Sequence, residues 1–563
     1  MRKTLIILGL CLAFSAFTYA QATGAGVGPR MEIDQYGQLV ETLPVEVTVR
    51  NGVTWFENRE RGYRFWFDAR VQVDFAHHHN QRNGLLTGPD GLSLPSSQLF
   101  TLRDENDNLV ATPHMPGGMQ LRRVRFAIKA DLNHNWYAEV DFNIANGSIG
   151  LQDAYIQFNG LRHWMFRAGN FKEDFSMEYT TSSRFVTMME RPMNITAFNF
   201  TRRLGVQAKF HHEDMPWWRV SGGVTFQEIA GGDLNRNVQG VQREFARGSG
   251  PNFTGKVVLM PWATDPNRGL HFGYNIQHRS GRWVSNDYDF ALDAPDSRAW
   301  HGFRANTRNA HHLNRTAYID TRWFRNGVGS NLFQGVELAG FWNSWRFGSE
   351  FIWHDMIMDR DLAMFPTFEG ATLHARGIYH GFELLTPAEL VDIYARNKRH
   401  WGWYAYVGKL LFGGNQRYDI TQSEFTRPTR GRSWGDIEVL FRYDYINLNN
   451  NFRDLPVQVL AINGGGGNQL GQPGGAGHNF TFGINYWINQ NMRFTINYTI
   501  SRNDVWSNGG GHLNQFGRNP NDPERNIAVG RDANGNFTGD PLSVVSDGGV
   551  RFNTLQMRLE IAF

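Results

Sequence analysis

The chain has 563 residues, 56 of them lysine or arginine against 53 aspartate or glutamate, with a mean hydropathy of −0.46. So even a balance excludes a partner chosen by bulk charge, and a single cysteine, Cys11, excludes a disulfide framework. Beyond the first twenty residues there is no apolar run of about 18 or more, which excludes a bilayer-spanning helix.

Arg2 and Lys3, then an apolar stretch at 5–14, then Thr18-Tyr-Ala20 or Ala20-Gln-Ala22, read as a secretory signal peptide over 1–20. Without Arg2 and Lys3 the basic and acidic counts are 54 and 53, and no cysteine remains. Residues 21–61 form a polar lead-in, expected in the periplasm. From residue 62 onward short alternating segments dominate. In 63–75, Phe65, Phe67, Val71, Val73 and Phe75 share one face, and Arg64, Asp68, Arg70 and Asp74 share the other. A period of two with one bulky apolar face predicts a strand. A polar loop carrying His77, His78 and His79 follows. The next strand, 121–131, turns Val124, Phe126, Ile128 and Ala130 outward and Arg123, Arg125, Lys129 and Asp131 inward. Further strands are predicted at 137–144, 151–159, 163–168, 205–211, 216–226, 251–260, 270–278, 334–342, 346–354, 401–411, 436–446, 480–488, 492–502 and 551–563. Segment 315–323 alternates poorly and is set aside. About sixteen strands remain, with both ends on one side.

Aromatics at 14%, including 42 phenylalanines and 18 tryptophans, suit a wall whose lipid-facing and lumen-facing residues alternate. Only a closed barrel satisfies strand backbones in lipid. The fold class is therefore all-β: a transmembrane antiparallel β-barrel over 62–563. Segment 415–435 is long for the side on which it falls, and the alternation gives no account of it. In 551–563, Leu555, Met557, Leu559, Ile561 and Phe563 alternate with polar residues or alanine. Phe563 on this amphipathic strand resembles the assembly signal of outer-membrane proteins, read by the barrel assembly machinery.

The connection after the fifth strand, 172–203, is about thirty residues long where a few are usual. It mixes Phe175, Tyr179, Phe185, Phe198 and Phe200 with the bases Lys172, Arg184, Arg191, Arg202 and Arg203 and the acids Glu173, Asp174, Glu178 and Glu190. A tether this long and this apolar is expected to fold into the lumen and narrow it.

Gly169-Asn-Phe-Lys-Glu-Asp-Phe-Ser176, Thr180-Thr-Ser-Ser-Arg184 and Met189-Glu-Arg191 resemble the signature region of the phosphate-selective porin O and P family. Asp153-Ala-Tyr155, Phe412-Gly-Gly-Asn-Gln-Arg-Tyr-Asp419, Arg442-Tyr-Asp-Tyr-Ile-Asn447 and Phe482-Gly-Ile-Asn-Tyr486 extend the resemblance along the chain. Asp174 departs from it, standing where proline is expected. The resemblance implies a Gram-negative outer-membrane porin, a homotrimer and a preference for anions, phosphate being the name-giving solute.

No His-Glu-x-x-His helix occurs, and no enzyme, cofactor or metal is expected. Neighbouring strand histidines such as His211 and His212 point to opposite faces and do not converge on one ion. Alternate aromatics are read as a lipid girdle rather than a nucleic-acid surface. Tyr155 and Trp66 fall on inward phases, which leaves a sugar-selective porin open; a surface scaffold or adhesin is a further alternative. Inward wall positions balance arginine and lysine against aspartate and glutamate. The expected constriction therefore sets Lys172, Arg184, Arg191, Arg202 and Arg203 of the loop against the column Arg123, Arg125 and Lys129, giving mild anion preference for small hydrophilic solutes.

Overall fold

In the computed structural model, residues 30–563 are described except 34–37, 43–44, 51–52, 83–84, 88–92, 96–101, 104–108, 111–116, 146–148, 199, 227–249, 285–298, 302, 310, 314–316, 322–326, 361–373, 377–381, 385–394, 451–457, 461–471, 505–515, 520–521, 532–536 and 547–550. The signal peptide expected at 1–20 lies outside the described residues, and the lead-in 21–61 is described in part.

Sixteen antiparallel strands close into one barrel. They are β1 (Tyr63–Arg82), β2 (Gly118–Leu132), β3 (Trp136–Asn143), β4 (Gly150–Phe158), β5 (Trp164–Lys172), β6 (Arg202–His211), β7 (Trp218–Thr225) and β8 (Asn252–Leu259). The second half comprises β9 (Arg268–Ser280), β10 (Val328–Trp342), β11 (Trp345–Met358), β12 (Lys398–Leu410), β13 (Asp436–Asn450), β14 (Gln472–Trp487), β15 (Met492–Asn503) and β16 (Arg551–Ala562). Each strand pairs with its neighbour in sequence, and β16 returns to β1 with Met557 opposite Phe75 and Ile561 opposite Val71. The seam is extended by two backbone bonds, Phe563 N–H to the Ala69 carbonyl at 3.0 Å and Ala69 N–H to the Phe563 carbonyl at 2.6 Å. Within this ring every strand is paired on both sides, so the ring presents no edge to lipid, and the lead-in strands Glu46–Arg50 and Val53–Asn58 add to it as a hairpin on the first residues of β1.

The alternation is inverted relative to a water-soluble protein. On β15, Arg493, Thr495, Asn497, Thr499 and Ser501 are buried toward the lumen while the residues between them face out. Phe253, Val257 and Leu259 on β8 are likewise exposed on the outer wall. Two details differ from the sequence reading. β1 runs on to Arg82, so His77–His79 lie in a strand rather than a loop, and the pairing of β2 with β1 shifts register between Leu121 and Arg123. The weak segment 315–323 supplies no wall strand; Ile319–Asp320 pairs with Asn306–Thr307 in a small hairpin.

A wall with a polar inner face has no hydrophobic core of its own, so the core comes from chain folded inside it. Three inserts do this: the connection 173–201 with short helices α1 (Met177–Thr180) and α2 (Met193–Ala197), the segment 303–321, and the connection 411–435 between β12 and β13. Phe175, Met193, Ile195 and Phe198 of the first insert pack with Phe303 and Ile319 of the second and Phe425 of the third. The facing wall contributes Phe333, Ile352, Met356, Tyr404 and Ile446. Gly402 and Gly483 permit this approach: a Cβ there would lie 2.9 Å from the Asn194 Cβ and 2.6 Å from the Met188 sulfur. These inserts fill much of the lumen beside β10–β13, and a charged cavity remains against β1–β6.

Candidate functional site: the charged lumen beside the inserted loop

The loop leaves the wall at the end of β5. Gly169 has φ +134°, a conformation open to glycine, and a Cβ there would sit 2.3 Å from the Ala154 carbonyl oxygen. Immediately beyond, Asp174 is buried and lies 3.1 Å from Arg219, 3.6 Å from Lys209 and 3.9 Å from Lys256, and it accepts a 2.8 Å bond from the Ser221 hydroxyl. Burial opposes its ionised form, but Arg219, Lys209 and Lys256 outweigh burial and hold the carboxyl well below the usual range. Where the family-like run calls for proline, this chain places an ionic anchor. Glu173 adds a second tie, accepting from Thr225 at 2.5 Å and lying 3.3 Å from Arg203.

Met189-Glu-Arg191 is the loop's other lock. The Glu190 carboxylate accepts from Arg122 at 2.8 and 3.0 Å and from Arg558 at 2.9 Å. Burial again works against the charge, and Arg122 and Arg558 overcome it, keeping Glu190 well below the usual range. Arg558 also grips Asp74 at 2.7 Å and donates to the Met189 carbonyl at 2.6 Å. Arg191 turns away from the passage and donates to the carbonyls of Glu178, Tyr179 and Thr181 at 2.8, 3.2 and 2.8 Å. Lys172 does similar work, reaching the carbonyls of Tyr179, Thr180 and Thr181 at 3.3, 3.0 and 3.4 Å.

Between loop and wall lies a cavity of about 550 Å³ lined by eight bases and seven acids. Of the loop and column residues expected at the constriction, Lys172, Arg184, Arg202, Arg125 and Lys129 line it; Arg191, Arg203 and Arg123 do not. Arg123 instead donates to Gln72 at 2.8 Å. The expected cationic column is not a set of free charges. Arg184 and Lys129 share Asp68, Lys129 at 3.1 Å, with Glu139 a further 3.6 Å from Lys129. Arg125 lies 3.6 Å from Asp141, and Arg202 lies 2.8 Å from Asp153.

Two guanidiniums on the lining have no carboxylate within ion-pair reach among the described residues. Arg70 donates to the Ser183 hydroxyl, and Arg167 donates to Gln157 at 2.9 and 3.2 Å while stacking over Tyr155 at 4.2 Å. The one lining acid without such a cation is Glu424, on the 411–435 insert, whose carboxyl is pushed up to about 7 by loss of hydration. Sequence reasoning placed Arg70 on the polar face of its strand without singling it out. It missed Arg122, which alternation assigns to the lipid face until the irregularity at Leu121/Arg123 turns it inward. It also left 415–435 unexplained, although length and aromatic content, the signal used for 172–203, apply there equally.

Two trios of potential metal ligands occur among the described residues. Glu139, Asp141 and Asp153 are already shared with Lys129, Arg125 and Arg202. In His163, His212 and Asp214, both Nδ1 atoms accept backbone N–H groups at 3.1 Å, and Asp214 pairs with Arg162 at 2.5 Å.

A closed sixteen-strand barrel, apolar outside, with a loop anchored in a charged lumen, is the construction of an outer-membrane porin: a channel rather than an enzyme. The chain belongs to the phosphate-selective porin O and P family, whose pattern it matches over residues 107–357 and 367–508. It is also similar to an uncharacterized protein of Caulobacter vibrioides, 24% identical over 336 residues, a match spanning 59% of this chain and 56% of that one. The chain thus matches little more than half the length of that relative. Among solved structures it resembles an anion-selective porin from Comamonas acidovorans, with a TM-score of 0.41, 10% identity and coverage of 89% of this chain and 100% of that one. The outer-membrane channel DcaP of Acinetobacter baumannii gives 0.39, 8%, 90% and 99%.

Proposed function

We propose that this porin passes small hydrophilic solutes by diffusion, with a mild preference for anions, phosphate among them. One observation carries the sign. Most charges on the lining cancel in pairs; Lys172 is spent on loop carbonyls, Arg70 and Arg167 are left without a carboxylate, and the acid left over, Glu424, is only partly ionised near neutrality. A guanidinium stays charged at any working pH and offers paired N–H donors to an oxyanion. The preference is mild because the path is short of free charge overall, and because salt screens exposed charges over about 10 Å. The family supports a homotrimer as the working assembly in outer-membrane lipid, with Phe563 as the signal for the assembly machinery.

The test is the reversal potential in a salt gradient across a planar bilayer. Wild type is expected to favour chloride, phosphate to compete at low salt, and Arg70→Gln with Arg167→Gln to bring the reversal potential close to zero. A cation-selective wild type, or a double variant with unchanged selectivity, overturns the assignment.

A further inference from the structure

The inner wall carries aromatic rings that the lipid girdle cannot explain, because they face water. Trp66 shares the inward phase of β1 with Asp68 and Arg70. Its ring lies 6.0 Å from that of Tyr137, reaching across β2, and Tyr137 lies 5.9 Å from Tyr155. At the short-turn end the row is extended by Trp55 of the lead-in, stacked on Trp66 at 3.9 Å and 17°. The register puts Trp66 opposite Lys129 and Lys129 opposite Glu139, so the rings and the charged groups of the lumen occupy one surface. Tyr137 and Tyr155 line the 550 Å³ cavity itself, and all four rings are partly exposed.

These rings are held in fixed attitudes. Both tyrosine hydroxyls donate to the same Glu139 oxygen, at 2.5 and 2.9 Å. Beside them runs an edge of planar polar groups: Arg167 bonded to Gln157, and Gln157 donating to Asn159 at 2.9 Å. Apolar faces next to a row of oriented donors and acceptors are a poor match for the simplest permeants. Chloride or phosphate gains nothing from the faces, and an alkyl chain gains nothing from the edge. A sugar ring uses both, laying its C–H face on an aromatic ring while its equatorial hydroxyls meet amide, carboxylate and guanidinium groups. We propose that the wall from Trp66 through Tyr137 to Tyr155 is a track for sugar rings, leading from the short-turn mouth to the constriction. This rests on the porin reading and names a second solute class for the same passage.

The full-length protein in a planar bilayer, conducting chloride, tests it. Maltotriose is expected to reduce the current saturably, whereas sorbitol at equal osmolality, which has hydroxyls but no ring face, changes it only through viscosity. Trp66→Ala is expected to raise the half-blocking concentration about tenfold, each channel being normalised to its own open current, and Trp66→Phe to restore most of the block. The track is overturned if maltotriose and sorbitol act alike on a conducting channel, or if Trp66→Ala blocks like wild type. Absence of chloride conductance would remove the porin reading, and the track with it. Should Trp66→Ala give no channel, the ring-keeping Trp66→Phe read against Tyr137→Leu decides: equal block in the two refutes the track.

Discussion

Asp174→Asn removes the charge that pins the base of the inserted loop. Asp174 stands within 4 Å of Arg219, Lys209 and Lys256 and is buried with them. At an effective dielectric near 20, one unit pair at about 4 Å is worth roughly 4 kcal/mol before desolvation is subtracted. Stripping one partner from a buried ion cluster usually costs about 3–5 kcal/mol, much of it the penalty on the cations left behind. Asparagine keeps a carbonyl for Ser221 and Arg219, so the lower end, about 3 kcal/mol, applies. That raises the fraction of time the loop base spends detached by roughly a hundredfold. Single-channel recording reads this directly, as excursions to higher conductance in a channel that is quiet as wild type. The pH sign follows from the same group. Its folded-state pKa is depressed, so its contribution is present above the ordinary carboxylate pKa and lost only as pH falls through the depressed value. Wild-type channels should therefore stay quiet down to about pH 4, the ordinary range for a free aspartate. Quiet Asp174→Asn channels from a folded barrel would refute the anchor, as would wild-type opening near that pH.

Two other expectations concern groups outside the wall strands. Glu424, with its carboxyl raised to about 7, ionises as pH rises from about 6 to 8, so anion preference should decline over that interval and Glu424→Gln should abolish the decline; a wild-type reversal potential flat across it would exclude the group. Phe563 has its side chain 54% exposed on the outer face while its backbone closes the seam with Ala69. Phe563→Ala should thus lower the outer-membrane level of the protein while leaving the heat-modified gel shift of the assembled barrel in place, and a variant assembled to wild-type level contradicts the signal.

Strand identity and the inserted loop were legible in the sequence because lipid imposes a local rule. Every second residue of a wall strand must be apolar, and no strand is left unpaired, so period, count and the excess length of 172–203 read directly from the chain. The pairing of charges follows no such rule. Arg184 is neutralised by Asp68, 116 residues away, and Glu190 by Arg558, 368 residues away, through a register that alternation does not encode. One irregularity at Leu121/Arg123 sends Arg122 inward against its phase, and 411–435 enters the lumen because its aromatics complete a core that the wall cannot supply. Sequence therefore determined the barrel and the entry of 172–203, but not that of 303–321 or 411–435. Only the tertiary structure decided that Arg191 braces the loop while Arg70 and Arg167 face the passage, since a cation's availability depends on which carboxylates the folded lumen brings within about 4 Å of it.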